Sequence, residues 1–249
     1  MKETFVLLGT GGSTGIPRVG CKCHVCTSKN RANKRLRSQG LFSIGGKKIL
    51  LDAGPDTRYQ MLKYDVDHID ALFLTHPHED HVGGLDDLRG FFYQSNCEQI
   101  PVFCSENTYE IIACRFGYLL ERFSFHKLNE RSGTFMVGEK EFSYCSYEQG
   151  SVPVLGFRYK KMAYLTDIKC YEESIFSFLE GVETLIVSAL NFSGSHMHFS
   201  IDEAAAFGLK AQAKKTFLIH MNHEVEHEAV NKSLPVGVEL ATDGRIIDV

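Results

Sequence analysis

Four potential metal ligands fall within six residues in Thr75-His76-Pro77-His78-Glu79-Asp80-His81, and this cluster constrains the chain more than any other feature. It follows Asp70-Ala71-Leu72-Phe73-Leu74, a short apolar run that predicts a strand. Three imidazoles and a carboxylate on one turn repel when protonated and are poorly hydrated when packed, unless cations draw them together. Neutral imidazole nitrogen and carboxylate oxygen suit Zn, Mn or Fe. The spacing divides the donors: His76 and His78 can face one ion, while Asp80 and His81 reach a second. An exposed histidine-rich turn is the bland alternative.

At 249 residues, with 43% hydrophobic and 23% charged side chains, the chain is expected to form one globular domain spanning residues 1–249. A core of that size needs no disulfide or metal to hold it, so any metal is functional or local. Lys+Arg 27 against Asp+Glu 31 leaves a net charge of −4, which makes nucleic acid an unlikely partner. No apolar run approaches the roughly 18 residues that span a bilayer. The start, Met1-Lys2-Glu3-Thr4, carries an acidic residue and runs into a strand pattern, unlike a signal peptide. No membrane partner and a cytoplasmic address are therefore expected, with the eight cysteines reduced. Three of them crowd into Cys21-Lys22-Cys23-His24-Val25-Cys26, which reads as metal binding, a metal-free thiol cluster being the alternative. The other five are expected to be small buried hydrophobes.

Strand patterns recur at Phe5–Leu8, Lys48–Leu51, Ala71–Leu74, Val102–Cys104, Glu141–Tyr147, Val154–Tyr159, Met162–Leu165, Leu185–Ser188 and Thr216–Ile219. Helical patterns cover Asp56–Lys63, Glu106–Phe116, Glu172–Leu179 and Ile201–Ala211, the last with Ser200 and Glu203 spaced as a capping box. Mixed elements with short connections predict two layers of sheet covered by helices. The basic run Lys29, Arg31, Lys34, Arg35, Arg37 reads first as a solvated face, and otherwise as a rim that attracts an anionic substrate.

Four blocks in order resemble the metallo-β-lactamase superfamily: Ile49-Leu50-Leu51-Asp52, the histidine cluster, Ala163-Tyr164-Leu165-Thr166-Asp167 and Phe217-Leu218-Ile219-His220. The resemblance implies an α/β fold, the αββα sandwich, with a two-metal site at the strand ends. It implies Asp52 as support for the ligand loop. The implied metal ligands are His76, His78, Asp80, His81, a bridging Asp167 and His220, for two divalent ions, Mn or Zn.

A narrower resemblance, to the phosphoribosyl cyclic phosphodiesterases of phosphonate breakdown, rests on Gly9-Thr10-Gly11-Gly12-Ser13-Thr14-Gly15-Ile16-Pro17, the cysteine cluster, Ser195-His196-Met197-His198-Phe199-Ser200 and His220-Met221-Asn222-His223. It implies one structural Zn on Cys21, Cys23, Cys26 and His223, with His24 and His227 as less favoured fourth ligands. It also implies that His198 enters the active site without binding metal, to hydrogen-bond the phosphate or protonate the leaving oxygen. His196, His68 and His126 are expected outside the site.

One departure stands out. Where this family places a metal-binding histidine, before the strand containing Val154-Leu155-Gly156-Phe157, the chain has Gln149. Its amide oxygen is a weaker and harder donor than imidazole, so the ion on His76 and His78 should bind less tightly or favour Mn. Glu148, one residue earlier, should point to the opposite side. The resemblance thus implies a metal-dependent phosphodiesterase. Its substrate would be a small anionic cyclic phosphate such as a phosphoribosyl cyclic phosphate, attacked by a metal-activated water, with Asp80 and His198 as its catalytic groups. A non-hydrolytic metal-stabilised binding protein and an RNA-processing nuclease are the alternatives, and a homodimer is open as the assembly.

Overall fold

The recurring β-rich runs assemble into two seven-stranded sheets. The computed structural model describes residues 2–94 and 99–249. The first sheet contains β1 (Thr4–Gly9), β2 (Gln39–Ile44), β3 (Lys47–Leu51), β4 (Ala71–Phe73), β5 (Ile100–Cys104) and β6 (Phe123–Lys127). The second contains β7 (Ser132–Val137), β8 (Lys140–Gln149), β9 (Val152–Tyr159), β10 (Met162–Leu165), β11 (Thr184–Ser188), β12 (Lys215–Ile219) and β13 (Val238–Leu240). The last strand, β14 (Ile246–Asp248), returns to the first sheet and pairs with β1.

Each sheet changes character part-way across. Neighbours are antiparallel from β14 to β3 and parallel from β3 to β6. In the second sheet they are antiparallel from β7 to β10 and parallel from β10 to β13. Ligands of such sheets gather at the carboxyl ends of the strands, near the point where the connectivity changes. The switch strands β3 and β10 lead into Asp52, directly after β3, and Asp167, two residues after β10.

Between the sheets lies an aromatic-rich core in which the Phe73 ring centroid is 5.0 Å from those of Phe135, Phe142 and Phe157. Separate apolar layers join the outer face of each sheet to its helices, which completes the expected αββα sandwich. The helix Ile201–Lys210 begins with the predicted box: Glu203 N donates to Ser200 Oγ at 3.1 Å and Ser200 N donates to Glu203 Oε2 at 2.7 Å. No helix among the described residues is long and apolar enough to cross a membrane.

Several expectations are corrected. The strands β2, β6, β7, β13 and β14 have weak sequence signals, since β2 carries Gln39 and Gly40, and β6, β7, β13 and β14 are edge strands or short. The helix expected from Glu172 starts at Ile175. Of the scattered cysteines, Cys104 and Cys145 are buried, Cys114 and Cys170 are exposed, and Cys97 lies outside the described residues. The basic run is a solvated face only in part, at Lys29 and Arg31. Arg35 is 1% exposed, and Arg37 pairs with Asp56 at 3.0 Å.

The loop after β3 and the histidine loop after β4 are laced together by backbone: Ala53 N donates to His81 O and Gly84 N to Ala53 O, both at 2.7 Å. A Cβ on Gly54 would sit 2.0 Å from the Asp80 carbonyl oxygen, so only glycine lets the two loops approach this closely. Gly54→Ala is therefore expected to cost roughly 1–3 kcal/mol in denaturant unfolding. Gly90→Ala, in a helix with nothing within 4 Å of the added carbon, should instead stabilise by up to about 1 kcal/mol.

Candidate active site

Three side chains of the site leave their strands through a left-handed backbone: Asp52 (φ 62°) after β3, Asp167 (φ 51°) after β10 and His220 (φ 60°) after β12. Aspartate and histidine, with asparagine, adopt this region more often than other non-glycine residues, though it is uncommon for any of them. Such conformations cost of order 1–3 kcal/mol each and persist where the surrounding structure over-determines them. Here that turn aims all three side chains at the histidine loop.

Asp52 is fully buried and collects donors. Thr75 N donates to its Oδ1 at 2.8 Å, Thr75 Oγ lies 3.0 Å from both carboxylate oxygens, and His81 Nδ1 is 2.7 Å from Oδ2. Burial pushes the Asp52 carboxyl above its ordinary pKa, opposed by His81 and Thr75. With its Nδ1–H donated to Asp52, neutral His81 turns a lone pair on Nε2 toward Asp167 Oδ2 at 3.0 Å and Asp80 Oδ2 at 3.5 Å. Acceptor then faces acceptor in a dry site, and His81 Nε2 makes no hydrogen bond among the described residues. A proton or a metal cation reconciles them. This is the environment that a zinc-type ion with a carboxylate-supported histidine requires.

The remaining donors converge on the same volume. His220 Nε2 is 3.2 Å from Asp80 Oδ2 and 3.4 Å from Asp167 Oδ1, and His76 Nε2 is 3.0 Å from His78 Nδ1. Three sets, His76, His81, Asp167, then Asp80, His81, His220, and Asp167, His198, His220, each bring their ligand atoms within 4.8 Å of one another. His81 thus groups with His76 as well as with Asp80, contrary to the expected division, and His198, expected beside the metals, falls among the candidate ligands. Burial opposes charge on Asp80 and Asp167, yet the adjacent His81 and His220 hold both carboxyls well below the usual range. Burial likewise lowers His81, but Asp52, Asp80 and Asp167 raise it well above its ordinary value. Burial and the neighbouring His81 push His76 well below its own.

Gln149 ends β8 with its side chain buried, and Glu148 is exposed on the other face, as the strand alternation predicts. The amide Nε2 donates to Asp167 Oδ1 at 2.9 Å and lies 3.0 Å from His198 Nε2. Its Oε1 is buried with no hydrogen-bond partner among the described residues, which leaves one donor atom free for a cation. His198, on the loop between β11 and the helix Ile201–Lys210, has Nδ1 at 3.1 Å from Asp167 Oδ1 and stacks on His220 with centroids 5.1 Å apart. His196 is exposed, and His68 pairs with Asp67 at the surface.

A second cluster lies close by along the chain. Cys21, Cys23, Cys26 and His223 bring their ligand atoms within 4.8 Å of one another, with His223 Nδ1 at 3.5 Å from Cys21 Sγ and 3.3 Å from Cys23 Sγ. His24 is exposed and His227 lies on the helix beyond, so neither belongs to this set. The hydrogen bond to His223 lowers the Cys23 thiol to about 6, while burial raises that of Cys26. Three thiols and an imidazole match a closed tetrahedral zinc set.

Residues that sequence reasoning missed include Thr75, Thr166 and Tyr147. Thr75 Oγ lies between Asp52 and His76 Nδ1 at 3.0 Å from each, Thr166 Oγ donates to Asp167 Oδ2 at 2.8 Å, and Tyr147 Oη donates to the Thr166 carbonyl at 2.6 Å. A threonine directly before the first ligand of both Thr75-His76 and Thr166-Asp167 was the available signal.

The beta-lactamase superfamily domain matches residues 47–221, which carry the strand-end cluster from Asp52 to His220. A solved structure described as a new diphosphatase from the PhnP family is 31% identical, with a TM-score of 0.95 over 100% of this chain and 98% of that one. Zn(2+)-bound PqqB from Methylobacterium extorquens, 18% identical, shares the fold at a TM-score of 0.82, covering 99% of this chain and 100% of that one. Among curated proteins, an octanoyltransferase from Porphyromonas gingivalis is 33% identical over 255 residues, 96% of this chain. The chain spans 50% of that protein's length. With the fold, the ordered donor blocks and the domain match in agreement, this chain belongs to the beta-lactamase superfamily, has the metallo-β-lactamase fold and is related to the PhnP family.

Proposed function

We propose that the chain is a metal-dependent hydrolase of a small phosphodiester or diphosphate, with a phosphoribosyl cyclic phosphate as one member of that class. The observation that carries this reading is the convergence of His76, Asp80, His81, Asp167 and His220 at the strand ends, with His78 3.0 Å from His76. The diphosphatase likeness supports phosphorus as the centre attacked. His76, His78 and Gln149 Oε1 would hold one ion, and Asp80, His81 and His220 a second, with Asp167 between them. Divalent ions, Mn or Zn, supply Lewis acidity there, lowering the pKa of a water and offsetting charge on the phosphoryl oxygens.

The protein's own groups do the rest. Asp52 fixes the His81 tautomer, and Thr75 and Thr166 orient Asp52 and Asp167. His198, partly open to solvent with Nδ1 3.1 Å from Asp167 Oδ1, would in its protonated form give a proton to the departing oxygen. The net charge of −4 disfavours an RNA substrate held through its backbone. A second reading comes from the octanoyltransferase relative, since the same site could direct water at an acyl carbonyl.

The test is turnover of a chromogenic phosphodiester, a ribose cyclic phosphate, a nucleoside diphosphate and an octanoyl thioester by protein supplied with Mn. Asp80→Ala should abolish hydrolysis of whichever phosphate is cleaved. Hydrolysis of the thioester alone would favour the acyl reading, and no metal-dependent turnover at all would favour a binding protein. Asp52→Ala should weaken active-site metal binding about 10- to 100-fold, measured by calorimetry, because the His81 orientation is lost.

The cysteine site is proposed to hold one structural Zn. One Zn per chain should then survive mild chelation that strips the active site. After harsh chelation, Cys23 should alkylate with a half-maximal rate near pH 6, because the thiolate is present above about 6, compared with about 8.5 for an ordinary thiol. Cysteines that alkylate equally fast with and without Zn would remove this assignment.

Gln149→His should raise affinity for the His76/His78 ion, since imidazole is the better donor to a first-row metal and formal charge is unchanged. The variant should need less Mn for half-maximal rate, with little gain at saturation. An unchanged Mn requirement would mean that Gln149 serves Asp167 and His198 only.

A further inference from the structure

The turn after β12 carries donors for both clusters: His220 faces the active site, and His223, three residues on, faces the cysteines. Its backbone is held from the glycine loop, where Met221 N donates to Thr10 O at 3.1 Å and Gly12 N to Met221 O at 2.9 Å. The Arg35 side chain also reaches it, from the segment on the far side of the glycine loop. This guanidinium is 1% exposed, and its Nη1 donates to the Val225 carbonyl at 2.9 Å. Its Nε and Nη2 have no hydrogen-bond partner among the described residues. The charges that favour it are those of Asp243 and Glu226.

Burying a guanidinium with so few acceptors is costly, and an apolar side chain would fill the space at lower cost. Its position indicates what offsets that cost. Arg35 exchanges backbone hydrogen bonds with Ile16, at 2.8 and 2.7 Å, so it is fixed to the segment leading into the cysteine cluster. Its neighbours reach the same parts of the fold. Asn33 Nδ2 donates to Glu226 at 2.7 Å and its Oδ1 accepts from His227 N, while Lys34 Nζ donates to Cys26 O at 2.8 Å. Leu36 N donates to Asp243, whose other oxygen accepts from Thr10 Oγ.

We propose that Arg35 is a positioning residue for the 220–225 turn, and that through this turn the cysteine site and the active site are coupled. The proposal rests on reading both clusters as metal sites. Coupling of this kind is reciprocal: a rigid turn favours binding at both ends, and binding at either end stiffens the turn for the other.

The experiment uses full-length protein loaded with Zn and Mn, and compares the parent with Arg35→Met, Arg35→Lys and Ile112→Ala. Ile112 is buried in the outer layer of the first sheet, so its truncation lowers the melting temperature without touching the turn. Two quantities are read without turnover: the rate of Zn release from the cysteine site to a chromogenic chelator, and calorimetric Mn affinity at the active site. Arg35→Met should speed Zn release and weaken Mn binding together, each about 10- to 100-fold as for other groups that orient a ligand. Arg35→Lys keeps the charge but lacks the planar fork, and should fall between. Ile112→Ala should leave both at parental values. Zn release and Mn affinity at parental values in whichever Arg35 variant is folded, or changes no larger than those of Ile112→Ala, would overturn the proposal. A parent that binds Mn but no Zn at the cysteines would also overturn it, while leaving the hydrolase reading standing. A parent that binds neither metal would overturn both.

Discussion

The Asp52 carboxylate is the contact on which the site depends. It is fully buried at the end of β3, and it accepts from the backbone and hydroxyl of Thr75 and from His81 Nδ1. Those bonds decide which nitrogen of His81 carries the proton, and therefore which one faces Asp80 and Asp167. Without Asp52 the imidazole could rotate or change tautomer, and the strand-end carboxylates would face a donor instead of sharing a cation with a lone pair. The close approach at Gly54 serves the same end, because it lets the Asp52 loop and the histidine loop share backbone hydrogen bonds.

Both sheets use the same device. A strand at the antiparallel-to-parallel switch is followed within two residues by an aspartate with positive φ, Asp52 in one sheet and Asp167 in the other. Each is met by a threonine hydroxyl, from Thr75 and from Thr166. The two aspartates differ in surroundings. Asp52 is closed off by donors, whereas Asp167 faces His81, His198, His220 and Gln149 and stands at the centre of the candidate ligands.

Much of this was legible in the sequence, because metal ligands leave dense, specific patterns. The His76 to His81 spacing, the three cysteines, Asp167 and His220 could all be picked out; the structure gathers His76, Asp80, His81, Asp167 and His220 into sets of close ligand atoms and the cysteines with His223, while His78 meets His76 alone. Other features have no one-dimensional signature. The left-handed φ of Asp52, Asp167 and His220 follows from where the strands stop, and strand ends are the least legible part of a sequence. Arg35 looked like one member of a solvated basic run because charge patterning cannot tell which lysine or arginine is folded under a loop more than 180 residues away in sequence. The orientation of the Gln149 amide was hidden for a similar reason, since its partners Asp167 and His198 come from later strands and loops.

The pairing of β14 with β1 bears on how the chain is made. Until residues 246–248 leave the ribosome, the first sheet presents β1 as an open edge, with unpaired backbone groups along one side. The His223 donor of the cysteine cluster is also late, 202 residues after Cys21. A nascent chain therefore carries an incomplete cysteine cluster until residue 223 is made, and a free sheet edge until residues 246–248 are made. During that interval it is open to misplaced strand pairing and to thiol oxidation, until the final strand and the 220–225 turn arrive to close both.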